Sequence, residues 1–256
     1  MRDGPPVTLY CFAHAGAGVS AFAHWRTATG DGVRVSPLPL PGRGTRRREA
    51  RVTSREALLD ALLDPLAEQV ADGRPYALYG HSLGGTVAHT LAHALIGAGL
   101  PAPRLLAVGA SPPPHIPAPH HEDLSDAQLL RFTSDLDAAP TGLLATPGSL
   151  YHRRVLPVLR DDLRLAAALR TAALTDAAHR LLPVPVLALD GLDDPVVGAA
   201  ALDGWARWTT GRLVRRTVPG GHFFVRGPQA PRLLGRACRV ARRTRPVPGL
   251  TTGGQQ

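Results

Sequence analysis

The stretch YALYGHSLGGTVAHTLAHAL, residues 76–95, sets Ser82 between a short apolar run and a helical pattern of small residues, within Gly80-His81-Ser82-Leu83-Gly84. A serine in that position is either an ordinary helix cap or a nucleophile, and its surroundings separate the two readings. YALYG reads as a strand running straight into the turn, and residues 83–98 read as a helix leaving it. That strand–turn–helix context is what a G-x-S-x-G nucleophile needs. The turn is sharp and strained, and flanking side chains would clash with it, so Gly80, Gly84 and Gly85 supply room. The helix N-terminus behind the hydroxyl favours developing negative charge.

Working outward, further strand candidates occur at 7–13, 33–38, 104–110, 184–190 and 212–218, with helical periodicity at about 54–71, 199–208 and 228–242. Apolar strands alternating with amphipathic helices predict a mostly parallel sheet flanked by helices, hence an α/β fold. The alternation fails from Ser111 to about Leu182. There a Pro-rich entry, SPPPHIPAPHHEDL, precedes helical patterns at about 125–137, 147–159 and 161–175. An all-helical insertion at the carboxyl side of a sheet is placed to act as a lid over a site. Residues 1–245 read as a single domain of this kind, and the tail 246–256 as too poor in apolar residues to pack.

A serine hydrolase of this architecture places an acid after a later strand and a histidine after the next. VPVLALD ends on Asp190, GLDDPV after it supplies Asp193 and Asp194, and PGGHFF supplies His222 in a glycine turn. Asp194, in the loop before Pro195, is favoured as the acid. Asp193 is the nearest rival, and Asp190 ends its strand. His222 would take the Ser82 proton as general base and return it as general acid, its other nitrogen held by the carboxylate. The loop after the first strand, His14-Ala15-Gly16-Ala17-Gly18, suits an oxyanion hole. Its donors would be the backbone N–H groups of Leu83 and Ala15. His14 is a candidate substrate contact, and His81 either orients the turn or lines the pocket.

Other signals carry less. Gly16-x-Gly18-x-x-Ala21 loosely matches a dinucleotide loop, but the second strand runs into PLPLPGRGTRRRE, with Arg43 and no ribose-binding acid, so no cofactor is expected. His89 and His93 are four apart on one helix, with Thr90 where a zinc protease has its glutamate, so no metal is expected. Packed or surface histidines are the reading there, and His115, His120 and His121 are read as solvated. The net charge is +9 and all 29 basic residues are arginine, which suits an acidic partner. The basic pairs are scattered and no nucleic-acid-binding signature appears, so nucleic acid is not the expected partner. No window is long and apolar enough to span a membrane. Cys11 and Cys238, isolated and without a spacing pattern, read as buried thiols in a cytoplasmic protein.

Together these residues resemble the type II (stand-alone) thioesterases of polyketide and nonribosomal peptide synthesis, within the α/β-hydrolase superfamily. The resemblance runs over about residues 7–235. LYCFAHAGAG is similar to the family's oxyanion loop, LPLPGRGTRRRE to its Leu-Pro-Gly-Arg signature and YGHSLGG to its nucleophile elbow. LPVLRDDLRL is similar to its lid-helix segment, and GLDDPV and PGGHFF to its acid and histidine segments. Ala13 replaces a frequent proline, and LRDDLRL is more polar than usual. The resemblance implies Ser82, Asp194 and His222 as the triad, Ala15 and Leu83 as oxyanion donors, and acyl or peptidyl carrier domains bearing phosphopantetheine as partners. It implies hydrolysis of carrier-bound acyl or aminoacyl thioesters through an acyl-serine, as editing or release. The same triad would serve a carboxylesterase, a lipase or an acyltransferase, and a silent carrier-binding protein is the alternative of another class.

Overall fold

A computed structural model describes residues 5–117, 123–136, 149–175 and 181–243. The described strands are β1 (Val7–Phe12), β2 (Val33–Pro37), β3 (Tyr76–His81), β4 (Leu106–Gly109), β5 (Val186–Gly191) and β6 (Leu213–Val218). They form one sheet in the order β2-β1-β3-β4-β5-β6, with every pair parallel. The chain steps from β1 out to β2, then crosses back to lay β3 on the other side of β1. The order therefore reverses between β1 and β3. At such a switch point the loops leaving two neighbouring strands diverge and open a crevice at their carboxyl ends.

The helices are α1 (Trp25–Ala28), α2 (Arg55–Val70), α3 (Leu83–Gly97), α4 (Asp126–Asp135), α5 (Leu150–Arg154), α6 (Leu156–Thr175), α7 (Ala199–Asp203) and α8 (Gln229–Arg243). Side-chain alternation along the strands divides the core into two layers. On one face Tyr10, Phe12, Leu78, Leu106 and Val186 pack with α2, α3 and α6. On the other, Val7, Leu9, Cys11, Tyr79 and Leu187 pack with Phe22, Trp25 and the α8 residues Leu234 and Cys238. Both cysteines are free and buried, and burial raises their thiols, Cys238 to about 12. The outer strand β6 exposes Arg215 and Arg216, a charged edge that discourages pairing with another chain.

The helical spacing is legible in the buried positions. Leu58, Leu62, Leu66 and Val70 recur every fourth residue of α2. Pro65 lies inside this helix and cannot donate to the Ala61 carbonyl, but Arg46 does so at 3.4 Å. The expected helix 199–208 is a short α7 followed by a 3-10 turn, Gly204–Trp208.

Among the described residues no named strand lies between β4 and β5, and an isolated bridge joins Leu182 to Thr209. Within this insertion the expected break near residue 160 falls earlier, at Val155, and α6 runs unbroken from Leu156. Pro157 explains the shift, since a residue without an N–H fits the first turn of a helix and not its middle. His115, expected to be solvated, accepts a hydrogen bond from the Trp208 indole at 2.8 Å and stacks on its ring. The expected tail, His120 and His121 lie outside the described residues. Among the described residues, no helix is long and apolar enough to cross a membrane.

Helix α6 belongs to the main core, because Leu165 and Leu169 are 0% and 1% exposed there. Leu165→Ala should therefore destabilise the protein by about 2–5 kcal/mol in urea or guanidinium unfolding. A loss below about 1 kcal/mol would mean that α6 contributes little to the fold.

Candidate active site

The carboxyl ends of β1, β3, β5 and β6 bring the expected residues together. Ser82 follows β3 in a conformation with φ 54° and ψ −117°, which side-chain-bearing residues rarely adopt. Its amide donates to the Gly109 carbonyl at 2.7 Å, and its carbonyl accepts from the Gly85 amide at 2.9 Å. A Cβ on Gly80 would run into the Gly84 carbonyl, and one on Gly84 would run into the Phe12 carbonyl, so the turn closes only with glycine there.

His222 follows β6. Its Nε2 lies 3.2 Å from Ser82 Oγ, and its Nδ1 lies 3.0 and 3.1 Å from the two Asp194 oxygens. The Asp194 side chain is fully buried and its Oδ1 also accepts from the Val196 and Val197 amides. Burial works to raise the Asp194 carboxyl. The hydrogen bond and charge of His222, with the two backbone amides, outweigh it and hold the group below the usual aspartate value. Since a carboxylate only accepts, Nδ1 carries the proton and Nε2 presents its lone pair to the serine hydroxyl. Asp193 is exposed, and the buried Asp190 carboxylate accepts from the Thr217 hydroxyl at 3.1 Å, so of the three aspartates it is Asp194 that meets the imidazole.

A cavity of about 480 Å³ opens at this point, its wall including His14, Ala15, Ser82, Leu83, Phe132 and His222. Ala15 and Leu83 thus flank the serine. His14 is 9% exposed, packs edge-on to His81 and against Phe223, and has its Nδ1 buried without a partner among the described residues.

His81 is placed differently from the substrate contact expected of it. It is 0% exposed and sits behind His222, not on the cavity wall. Its Nε2 donates to the His222 carbonyl at 2.7 Å, and its Nδ1 accepts from the Tyr79 hydroxyl at 2.9 Å. Desolvation, with the neighbouring charges of His14 and His222, drives its pKa well below the usual value, so it is neutral with the proton on Nε2. Its work is to hold the backbone of the histidine that faces Ser82.

His89 and His93 pair at 3.2 Å between their Nε2 atoms, and His89 is buried edge-on to Trp205 and Trp208. Among the described residues, no three metal-ligating side chains converge.

A buried contact that motif reading missed adjoins the oxyanion loop. Arg43 and Asp162 form a two-pronged ion pair at 2.5 and 2.7 Å, and Asp162 also accepts from the Gly16 amide at 2.7 Å. The available signal was periodicity. Asp162 shares the buried stripe of α6 with Leu159, Leu165 and Leu169, where a charge requires a partner.

Burial, then Arg226 and His222, lower the His14 pKa to about 3. The unfolded chain binds this proton near pH 6.5, so between those values the unfolded state holds more protons and stability falls as pH falls. Removing the group in His14→Phe should flatten the decline between pH 6 and 4.5 by up to about 1.4 kcal/mol per pH unit. Chemical denaturation at several pH values measures this, and equal slopes for the two proteins would mean that folded His14 binds its proton normally.

Comparison with known proteins gives the family. Residues 7–238 match the Thioesterase domain family. The RedJ thioesterase from the prodiginine biosynthetic pathway in Streptomyces coelicolor is 36% identical, with a TM-score of 0.78 over 93% of this chain and 87% of that one. The type II thioesterase BorB from the borrelidin biosynthetic cluster is 27% identical, with a TM-score of 0.74 over 93% and 94% of the two chains. AMB antimetabolite synthetase AmbE of Pseudomonas aeruginosa is 34% identical over 223 residues, which are 86% of this chain and 10% of that much longer protein. On these matches the chain belongs to the thioesterase family of α/β-hydrolase fold, with the type II thioesterases of nonribosomal peptide and polyketide pathways.

Proposed function

We propose that this protein hydrolyses acyl or aminoacyl thioesters on the phosphopantetheine arm of acyl or peptidyl carrier domains, with Ser82, His222 and Asp194 as its triad. The observation that carries the proposal is the relay of 3.2 Å from Ser82 Oγ to His222 Nε2 and 3.0 Å from His222 Nδ1 to Asp194.

Ser82 Oγ attacks the thioester carbonyl carbon as His222 Nε2 takes the hydroxyl proton. The carbonyl oxygen becomes an oxyanion, and the Leu83 and Ala15 amides are the donors for it. Collapse breaks the carbon–sulfur bond, and the phosphopantetheine thiol leaves with the proton from His222. Water, deprotonated by the same imidazole, then attacks the acyl-serine, and the carboxylic acid departs as Ser82 recovers its proton. Asp194 stays ionised and stabilises the imidazolium formed in both steps. The helices between β4 and β5 cover the cavity as a lid, and Phe132, Leu136 and Leu159 give the acyl chain an apolar wall. The pathway role that fits is editing, the clearing of stalled or misloaded carriers.

The decisive test is hydrolysis of a panel of acyl-loaded carrier proteins beside matching oxygen esters, with and without an added alcohol or amine acceptor. Strong preference for thioesters, and water as the acceptor, are expected. Preference for oxygen esters would make the protein an esterase, and transfer to the acceptor would make it an acyltransferase. Ser82→Ala should lower turnover by about 10³–10⁶-fold, and unchanged turnover would overturn the triad.

The net charge of +9 also supports a carrier partner, because carrier domains are commonly acidic. Raising the salt concentration should weaken kcat/KM for acyl-carrier substrates more than for small acyl thioesters. An equal response would remove the argument for electrostatic capture.

A further inference from the structure

The loop after β1 is held by a buried ion pair that takes no part in the proposed reaction. Arg43, in the turn after β2, reaches Asp162 of α6 through both terminal guanidinium nitrogens. The two side chains are 9% and 1% exposed. Each also grips the loop: Asp162 accepts from the Gly16 amide at 2.7 Å, and Arg43 donates to the Ala17 carbonyl at 2.9 Å.

These contacts fall on two peptide planes of the loop. The Gly16 amide belongs to the Ala15–Gly16 peptide, and the Ala17 carbonyl to the Ala17–Gly18 peptide. The His14–Ala15 peptide, which carries the Ala15 N–H, is fixed through its carbonyl by the Ala17 amide at 3.1 Å. A peptide is planar and trans, so fixing that carbonyl fixes the opposed N–H. With the planes on both sides of Ala15 pinned, its two backbone dihedrals have no freedom left. The loop is also wedged sterically. A Cβ on Gly84 would strike the Phe12 and Ala13 carbonyls on one side, and Gly16 lies against Leu159 and Val155 on the other.

We propose that Asp162 and Arg43 are positioning residues for the oxyanion hole, aiming the Ala15 amide through the loop they clamp. The inference rests on the reading of Ser82 as nucleophile and Ala15 as second donor. Oxyanion donors act because they stand in place before charge develops, and a displacement of about 1 Å can cost on the order of a hundredfold in rate. A charged pair suits the task better than apolar packing would. It binds an N–H and a C=O of the loop at once, and its own fork fixes the direction of both contacts.

The test is steady-state hydrolysis of a small acyl thioester by Asp162→Asn and Arg43→Lys. It is paired with inhibition by an acyl trifluoromethyl ketone, whose serine adduct carries an oxyanion. Asp162→Asn should lower kcat about ten- to a hundredfold with KM within about threefold, and ketone affinity should fall by a similar factor. A purely structural role would lower the melting temperature and leave both readouts of the folded fraction unchanged. If Asp162→Asn unfolds because Arg43 is left as an unpaired buried cation, Arg43→Lys carries the same test with the charges still balanced. A folded variant with kcat and ketone affinity within twofold of wild type would overturn the proposal, as would an effect confined to KM. Unfolding of both variants would equally overturn it, by making the pair a support of the fold. Ser82→Ala in the same assay separates the two ideas. Full activity there defeats the nucleophile reading, whereas an inactive Ser82→Ala beside fully active clamp variants defeats only the clamp.

Discussion

Ser82 holds a backbone conformation, φ 54° and ψ −117°, that costs a side-chain-bearing residue on the order of 1–3 kcal/mol, and it cannot relax without unmaking the centre of the molecule. On one side β3 is hydrogen-bonded between β1 and β4, and all six of its residues are buried. On the other, α3 buries Leu83, Val87, Leu91 and Leu95. Straightening the turn would pull one of these elements out of register. The strain is therefore maintained by packing on both flanks, and the hydroxyl stays turned outward at the crevice between β1 and β3. Every other group of the site is placed relative to this fixed point.

The imidazole is fixed by a different logic. His222 follows Gly220 and Gly221 in a turn whose backbone lies close against Gly191, and polar contacts then hold its ring and its carbonyl. Asp194 holds the ring through Nδ1, and His81 holds the main-chain carbonyl. The second contact depends on His81 carrying a proton on Nε2. With one ring proton, on Nε2, His81 donates to that carbonyl and leaves Nδ1 to receive the Tyr79 hydroxyl. A second proton, on Nδ1, would reverse the Tyr79 contact, the phenol oxygen then accepting and its own O–H losing this acceptor. Full burial and the adjacent histidines make that proton unfavourable. His14 and His81 are thus both held neutral beside the His222 imidazole, burial and the nearby Arg226 working against their charged forms.

What could be read from sequence divides along the same line. The sheet, the nucleophile turn, the acid and the histidine were legible because each follows from local pattern: an apolar strand, then a turn containing Gly or Pro, then a polar residue. Parallel strands deliver all such turns to one edge, so local pattern implied their meeting. Contacts that need two distant segments to face each other left no such trace. Arg43 and Asp162 are 119 positions apart, and His81 meets the His222 carbonyl across 141. His81 was read as a wall of the pocket or a support of the turn because its direction from β3 was undetermined. In the strand it points into the core, away from the ligand space. His115 was read as solvated because a Pro-rich segment offers no periodicity, and only the fold brings Trp208 over it. The helix boundary at Val155 was recoverable, since Pro157 was visible and its preference for a first turn is general.

The cover of the cavity is mechanically uneven, and that bears on how substrate enters. Helix α6 shares the main core through Leu165 and Leu169 and is tied to the oxyanion loop through Asp162. Displacing it would open the centre of the protein and loosen the Ala15 amide together. Helix α4 is attached far more lightly. Among the described residues its apolar cluster is Leu129 with Leu156 and Leu159, apart from the main core, supplemented by Arg160 bonding to Leu124 and Asp126 at 2.7 Å on a part-exposed surface. The free energy of a local opening rises with the apolar surface it brings into water, so an opening of the cover falls on α4, while α6 stays with the sheet. The division suits the proposed chemistry. An acyl chain can be admitted by moving the outer wall near Phe132 and Leu136, while the donors for its carbonyl oxygen, anchored to the part that does not move, keep the geometry on which their effect depends.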